Sequence, residues 1–296
     1  MQTPKLAIII PCYNEELCVE STCKRLLEVL KDLIDKQKIT PDSYLYLVDD
    51  GSIDNTWNLI EKLHSGNSLI KGQKFIRNYG NQKALIAGLE GVRSLGCDCV
   101  VSIDADLQQD ELAIEKFLDE YQKGYDIVLG IRNDRKTDGF FKKTTAVMFY
   151  KIMNLLGAKI AMNHSDYRLV SKHALDILEL YPEKALFLRG VFHELGLKTS
   201  TVHFNVKPRF AGSSKFNFMS LMGLALNGIT SFSIVPLRIV ACLGFLMALF
   251  GFLVGLETVF EKLFFHNSPN GFATMIILLC FFGGLQIFCL GVIGEY

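Results

Sequence analysis

The first 130 residues alternate short apolar runs with segments whose apolar positions recur every three or four residues. Leu6–Ile10, Tyr44–Val48, Cys99–Ile103 and Asp126–Leu129 are runs of strand length, and Lys74–Ile76 is a shorter fifth candidate. After the first of them, Leu26, Leu27, Leu30, Leu33 and Ile34 fall at helical spacing; Asp54–His64, Gln82–Arg93 and Asp110–Gln122 read as further helices. Continuous apolar strands alternating with amphipathic helices predict an α/β fold, a mostly parallel sheet flanked by helices on both faces. From Phe140 to about Tyr181 the pattern is helical, broken by the polar stretch Asn163–Arg168, and a β-type segment follows at Thr199–Val206.

Beyond about residue 230 the pattern changes. Lys215–Phe232 mixes Phe, Met and Leu with few charges, which predicts an amphipathic helix in a membrane interface, a buried core helix being the alternative. Ile239–Leu256 is uncharged for about 18 residues and Gly271–Gly294 for about 24, where a bilayer needs roughly 20. Two transmembrane helices are therefore expected, at about 234–260 and 271–295. Lys207, Arg209, Lys215 and Arg238 precede the first span, whereas the connection carries Glu257, Glu261 and Lys262. The positive-inside rule puts the first domain in the cytoplasm. Leu6–Ile10 is too short for a signal sequence and stops at Pro11. The expected organisation is a cytoplasmic domain over 1–212, a juxtamembrane helix over 213–232 and a two-helix anchor over 233–296, in the inner membrane.

Charge adds little. The 31 basic and 31 acidic residues cancel, so no global field points to nucleic acid. The eight cysteines include Cys97-x-Cys99 without a second pair at zinc spacing, which favours reduced thiols serving as small hydrophobes. The six histidines show neither metal spacing nor a nucleophile partner.

Polar residues gather just after the strand ends: Pro11–Glu15, Asp49–Ser52, Arg77–Gly80, Asp104–Gln108 and Gly130–Arg132. In parallel sheets ligands bind there. Neither a Gly-x-Gly-x-x-Gly fingerprint nor a phosphate loop ending in Gly-Lys-Ser/Thr is present. Asp104-x-Asp106-x-Gln108 places oxygen side chains at the mouth of a strand, where they can converge on Mg²⁺ or Mn²⁺; a solvated turn is the bland reading. Either Asp49 or Asp50 can accept from a base N–H or a ribose hydroxyl, and either can instead form an Asx-turn with Gly51 and Ser52. Arg132, Lys142, Lys143, Arg168, Arg209 and Lys215 are candidates for phosphate.

These motifs carry a resemblance. Ile8–Glu16, Val48–Thr56, Arg77–Gly80, Ser102–Gln108, Asp166–Ser171 and Arg209–Lys215 resemble family 2 glycosyltransferases of the GT-A fold. Within that family the chain is most similar to polyprenyl-phosphate glycosyltransferases, the bactoprenol glucosyltransferases of O-antigen modification, and more distantly to dolichol-phosphate-mannose synthases. The likeness covers nearly the whole chain. It implies that Pro11, Tyr13, Glu15, Val48 and Asp50 hold the nucleoside, with Asp104, Ala105 and Asp106 at the donor. Asp106 and Gln108 would be the metal ligands. Arg132, Arg209 and Lys215 would grip donor phosphates; Arg132, Lys143 and Arg168 would face the acceptor phosphate. Asp106 and Asp166 would be the catalytic pair. The implied donor is a nucleotide-sugar, UDP-glucose first, the acceptor is undecaprenyl or another polyprenyl phosphate, and the assembly is a homotetramer. Gln109-Asp110-Glu111 departs from the Asp-Pro-Pro that relatives often carry. Competing readings are a catalytically silent membrane scaffold and a processive polysaccharide synthase; the latter needs a Gln-x-x-Arg-Trp segment, and the only tryptophan here is Trp57.

Overall fold

The computed structural model describes residues 3–133, 164–180, 188–207, 235–264 and 271–295. They fall into two units, with the last two segments forming the second.

In the first unit the strands are β1 (Leu6–Cys12), β2 (Tyr44–Asp49), β3 (Ile70–Lys74), β4 (Cys99–Ser102), β5 (Ile127–Arg132), β6 (His164–Ser171) and β7 (Thr199–Phe204). They form one sheet in the order β3-β2-β1-β4-β6-β5-β7. Among the described strands only β6 runs against the rest: it pairs antiparallel with β4 and β5, whereas the other described pairings are parallel. The helices of this unit are α1 (Val19–Asp35), α2 (Thr56–Gly66), α3 (Asn81–Leu95), α4 (Ala113–Gln122), α5 (Lys172–Glu179) and α6 (Leu188–Glu194).

The central strands are apolar because both their faces are covered. Leu6, Ile8 and Ile10 pack with Leu26 and Leu30 of α1 and with Ile114 and Phe117 of α4. The intervening Ile9 and Tyr46 face α3, and here close approach matters. A Cβ on Gly88 would lie 2.7 Å from Ile9 Cγ2, and one on Gly91 would lie 2.7 Å from Tyr46 Cζ. Two glycines three residues apart thus let α3 rest directly on the sheet. Each enclosed Leu or Ile contributes about 1.5–3 kcal/mol relative to exposure.

Two expectations are corrected. The third strand is Ile70–Lys74 rather than Lys74–Ile76; it is an edge strand whose sequence, Ile-Lys-Gly-Gln-Lys, buries only Ile70. The stretch read as a polar break in a helical region is strand β6, with α5 following it. Its alternation places Tyr167 and Leu169 in the core on the α4 side and Val170 in a small cavity beside α3 and α6. The amphipathic helix expected at Lys215–Phe232 lies outside the described residues.

The second unit is a helical pair, α7 (Val235–Phe264) and α8 (Phe272–Glu295). Leu237–Glu257 and Ile277–Gly294 are long and apolar enough to cross a bilayer. Their large side chains face outward: Phe245, Leu246, Phe250, Leu279 and Leu290 are all exposed. Small residues form the seam. A Cβ on Gly291 would lie 2.8 Å from Ala241 Cα, and one on Gly284 would lie 2.8 Å from Ala248 Cα. Toward the two ends, Gly255 instead receives the side chain of Ile277 and Gly294 that of Leu237. An outward apolar surface over an inward small-residue seam is the arrangement expected of helices associating in lipid.

Candidate active site

β1 continues through α1 to β2 on one side of it, whereas β4, its neighbour on the other side, is reached only after β3 and α3. The connections diverge, and in parallel sheets such a divergence marks the carboxyl ends of the two strands, here β1 and β4, as the place where ligands bind. The ends of β2, β5 and β7 reach the same rim. Because β6 is reversed, it brings its beginning there.

On the β1–β2 side the loops are fastened to each other. Asn14, at φ +52°, donates its N–H to Ser52 Oγ at 2.9 Å, and its side-chain oxygen accepts from Ile53 N at 2.9 Å. Glu15 N donates to Thr56 Oγ1 at 2.8 Å, and Asn55 N to Glu16 Oε2 at 3.0 Å. Gly51 is at φ +67°, and a Cβ there would lie 2.7 Å from Arg77 O, so the turn after β3 closes against the same loop.

The two adjacent aspartates do different work. Asp49 closes the turn, its Oδ1 accepting from Ser52 N, three residues on, and from Ser52 Oγ, while its buried Oδ2 has no hydrogen-bond partner among the described residues. Asp50 accepts from Tyr79 N at 2.7 Å and Gly80 N at 2.9 Å. Burial pushes the Asp50 carboxyl above its ordinary value, the two N–H groups pull it back, and Asp49 adds to the rise. Pro11, Tyr13 and Glu15 are half-buried at this edge. Val48 is fully enclosed, and a Cβ on Gly88 would lie 3.2 Å from its Cγ2, so its side chain belongs to the core beneath the rim.

The loop after β4 is equally well determined. Thr22 Oγ1 donates to Ala105 O at 2.6 Å, tying the loop to α1. Gln109 holds Asp104 at both ends: Asp104 N donates to Gln109 Oε1 at 2.9 Å, and Gln109 Nε2 donates to Asp104 Oδ2 at 2.6 Å. Gln109 is buried, and no motif marked it. Leu107 sits at φ +51°, so the chain reverses between Asp106 and Gln108, and Gln108 N donates to Asp106 Oδ1 at 3.1 Å. Asp104, Asp106 and Gln108 are half-buried. Among the described residues no three His, Cys, Asp or Glu side chains gather around one point. Asp106 and Gln108 supply only oxygen donors, a set that suits a hard divalent ion completed by water and phosphate oxygens.

On the β6 side of β4, Ser102 Oγ donates to Asp166 O, joining the two neighbouring strands. Asp166 Oδ1 accepts from Arg168 Nη2, and its Oδ2 from Gln82 Nε2 at 3.5 Å. Gln82, in the first turn of α3, is a second residue the sequence reading passed over. Arg168 was expected to face a phosphate; its side chain is 4% exposed, its guanidinium 5.1 Å from the Phe192 ring centroid. It is therefore a buried partner of Asp166. Arg132 is exposed at the end of β5, level with Phe204 of β7. Just beyond β7, Lys207 N donates to Gln108 O at 2.8 Å, and Lys207 Nζ pairs with Asp110 and Glu111. Lys143, Arg209 and Lys215 lie outside the described residues.

The chain as a whole has counterparts in known proteins. The model of glycosyl transferase family 2 matches residues 7–178, and that of the GtrB C-terminal hairpin matches residues 235–296. The chain belongs to glycosyl transferase family 2. It is a glycosyltransferase with a GT-A-type sheet and two apolar C-terminal helices. An uncharacterized glycosyltransferase of Bacillus subtilis, YkoT, is 45% identical over 99% of this chain and 86% of its own length. The bactoprenol glucosyl transferase of Shigella phage SfX is 36% identical over 99% of this chain and 93% of its own. A crystal structure of a mycobacterial protein shares the fold at TM-score 0.50 and 14% identity, over 78% of this chain and 74% of that one.

Proposed function

We propose that this glycosyltransferase moves a hexose, glucose first among the candidates, from a nucleotide-sugar to a polyprenyl phosphate, with inversion at the anomeric carbon. The observation that carries this reading is that Ser102, at the end of the strand leading into the Asp104–Gln108 loop, bonds to Asp166 of the neighbouring β6, in a chain that also holds two bilayer-length apolar helices. The similarity to bactoprenol glucosyl transferases over nearly the whole chain supports the lipid acceptor.

In this mechanism the nucleoside rests against Pro11, Tyr13 and Glu15, on loops that the Asp49 and Asp50 hydrogen bonds hold in place. Asp104, fixed by Gln109, and Ala105 line the donor. Asp106 and Gln108 would hold Mg²⁺ or Mn²⁺, whose charge would stabilise a nucleoside diphosphate leaving group. A phosphate oxygen of the lipid attacks the anomeric carbon in line; the new C–O bond forms as the bond to the diphosphate breaks. A phosphate monoester has its second pKa near ~6 and is largely dianionic at neutral pH. It needs little help from a base. Asp166, aligned by Arg168, accordingly orients substrate rather than removing a proton. Arg132, Lys143, Arg209 and Lys215 supply positive charge for the phosphates.

The same reading places residues 1–212 in the cytoplasm, 213–232 at the interface and 233–296 in the inner membrane, as a homotetramer. Membranes incubated with labelled UDP-glucose, UDP-GlcNAc, UDP-galactose and GDP-mannose, then extracted for lipid, test it. Label entering the polyprenyl-phosphate fraction, highest from UDP-glucose, is expected. Label that enters only water-soluble oligosaccharide overturns the acceptor.

A further inference from the structure

Gln82 has an amide whose two ends are unlike. Its nitrogen points to Asp166 Oδ2, which fixes the orientation, because the flipped amide would set an oxygen against a carboxylate. Its oxygen, Oε1, is consequently turned away from Asp166, is buried, and has no hydrogen-bond partner among the described residues. A buried acceptor left unpaired is costly, so its persistence needs a reason.

The chemistry of the reactants supplies one. Resting on the function proposed above, the groups that meet beside Asp166 are a diphosphate, a phosphate monoester and a hexose. Both phosphate groups present acceptor oxygens, which an amide oxygen repels. The nucleoside is assigned to the ends of β1 and β2. Only the hydroxyls of the sugar can donate to Gln82 Oε1. We propose that Gln82 is a specificity-determining residue: its Oε1 accepts a hydrogen bond from one hydroxyl of the donor hexose, while Asp166, through Nε2, holds the amide in the reading orientation. No sequence motif marks this role, because the partners stand 84 residues apart.

The test compares wild type with Gln82→Met, which keeps the length of the side chain and removes both polar ends. The substrates are the nucleotide-hexose that wild type turns over fastest and its monodeoxy analogues at each ring position. Turnover by wild type examines the donor reading by itself; the difference between the enzymes examines Gln82 alone. The expected result is a loss of about 10–100-fold in kcat/KM with the parent sugar, shrinking to within about 2-fold for the one analogue that lacks the recognised hydroxyl. Affinity for UDP, which has no hexose, stays at the wild-type value. An equal loss on every analogue, no loss on any, or a fall in UDP affinity overturns the proposal, the last by showing that Gln82 supports the fold instead.

Discussion

The rim of the first unit and the hairpin of the second are held together by opposite means. At the rim, order comes from polar side chains that reach across to backbone groups. Ser52 and Asn14 join the loops after β1 and β2, Asp50 takes two N–H groups of the turn after β3, and Gln109 grips Asp104 at two points. In the hairpin, order comes from side chains that are missing: Gly244, Gly284 and Gly291 allow backbone to touch backbone. In water, an unmade polar contact can be replaced by solvent, so a site that must stay fixed needs many of them. In lipid, burying apolar surface gains nothing, and close packing is what remains. Each region should therefore fail in its own way.

The largest effect is expected at the rim. Asp106→Ala removes a proposed metal ligand and should cut transfer by about 1,000-fold or more, with the hairpin still inserted in membranes. Near-normal turnover in detergent would end the metal assignment. Gln109→Leu leaves the shape filled but unpairs Asp104 at both points. A fall of about 10–100-fold in kcat/KM for the donor is expected, from about 1–3 kcal/mol of lost order; unchanged kinetics would mean that Asp104 is held by other contacts.

Gly284→Leu attacks the other region. A Cβ at that position would already stand 2.9 Å from Gly244 O, so the helices must separate. The expected cost is about 1–3 kcal/mol, read as a lower midpoint of unfolding in detergent, with UDP affinity unaltered. If UDP binding fell in parallel, the two regions would not be independent.

The smallest effect concerns pH. Burial works to raise the Glu111 carboxyl, but hydrogen bonds from Lys207 and Arg25 outweigh it and hold the group below its ordinary 4.5. A carboxylate lowered in this way stabilises the fold fully above 4.5, and that contribution is lost as pH falls through the lower folded value. Glu111→Gln should cost about 1 kcal/mol at neutral pH and flatten the acid limb of a thermal-stability profile. An acid limb as steep as that of wild type would remove Glu111 from the account.

How much of this was legible beforehand follows from where each residue finds its partners. β1, β2 and β4 announce themselves because strands covered on both faces must be apolar throughout. β3, covered on one side only, leaves too faint a pattern to place correctly. β6 was missed because its alternation, with Arg168 and Asp166 turned to the α3 side, imitates a polar interruption. The metal motif is local, three residues within five, and local chemistry can be read from spacing. Gln82 acquires its meaning from Asp166, far along the chain, and the burial of Arg168 against Asp166 was not legible because charge in a sequence does not disclose burial. Gln109 is a different case. It lies next to the motif, yet a glutamine there is compatible with many turns, and only the fold shows that both its amide ends are used.

The seam of the hairpin has a consequence for topology mapping. The residues that meet are 241 with 291, 248 with 284, and 255 with 277, so one number falls as the other rises. The two helices are antiparallel along their whole shared length, and the chain that enters ahead of Val235 leaves after Glu295 on the same side. A pair of reporters, one inserted before Val235 and one fused behind Glu295, should thus light up together in any compartment-specific assay, while a third in the 265–270 connection should stay dark.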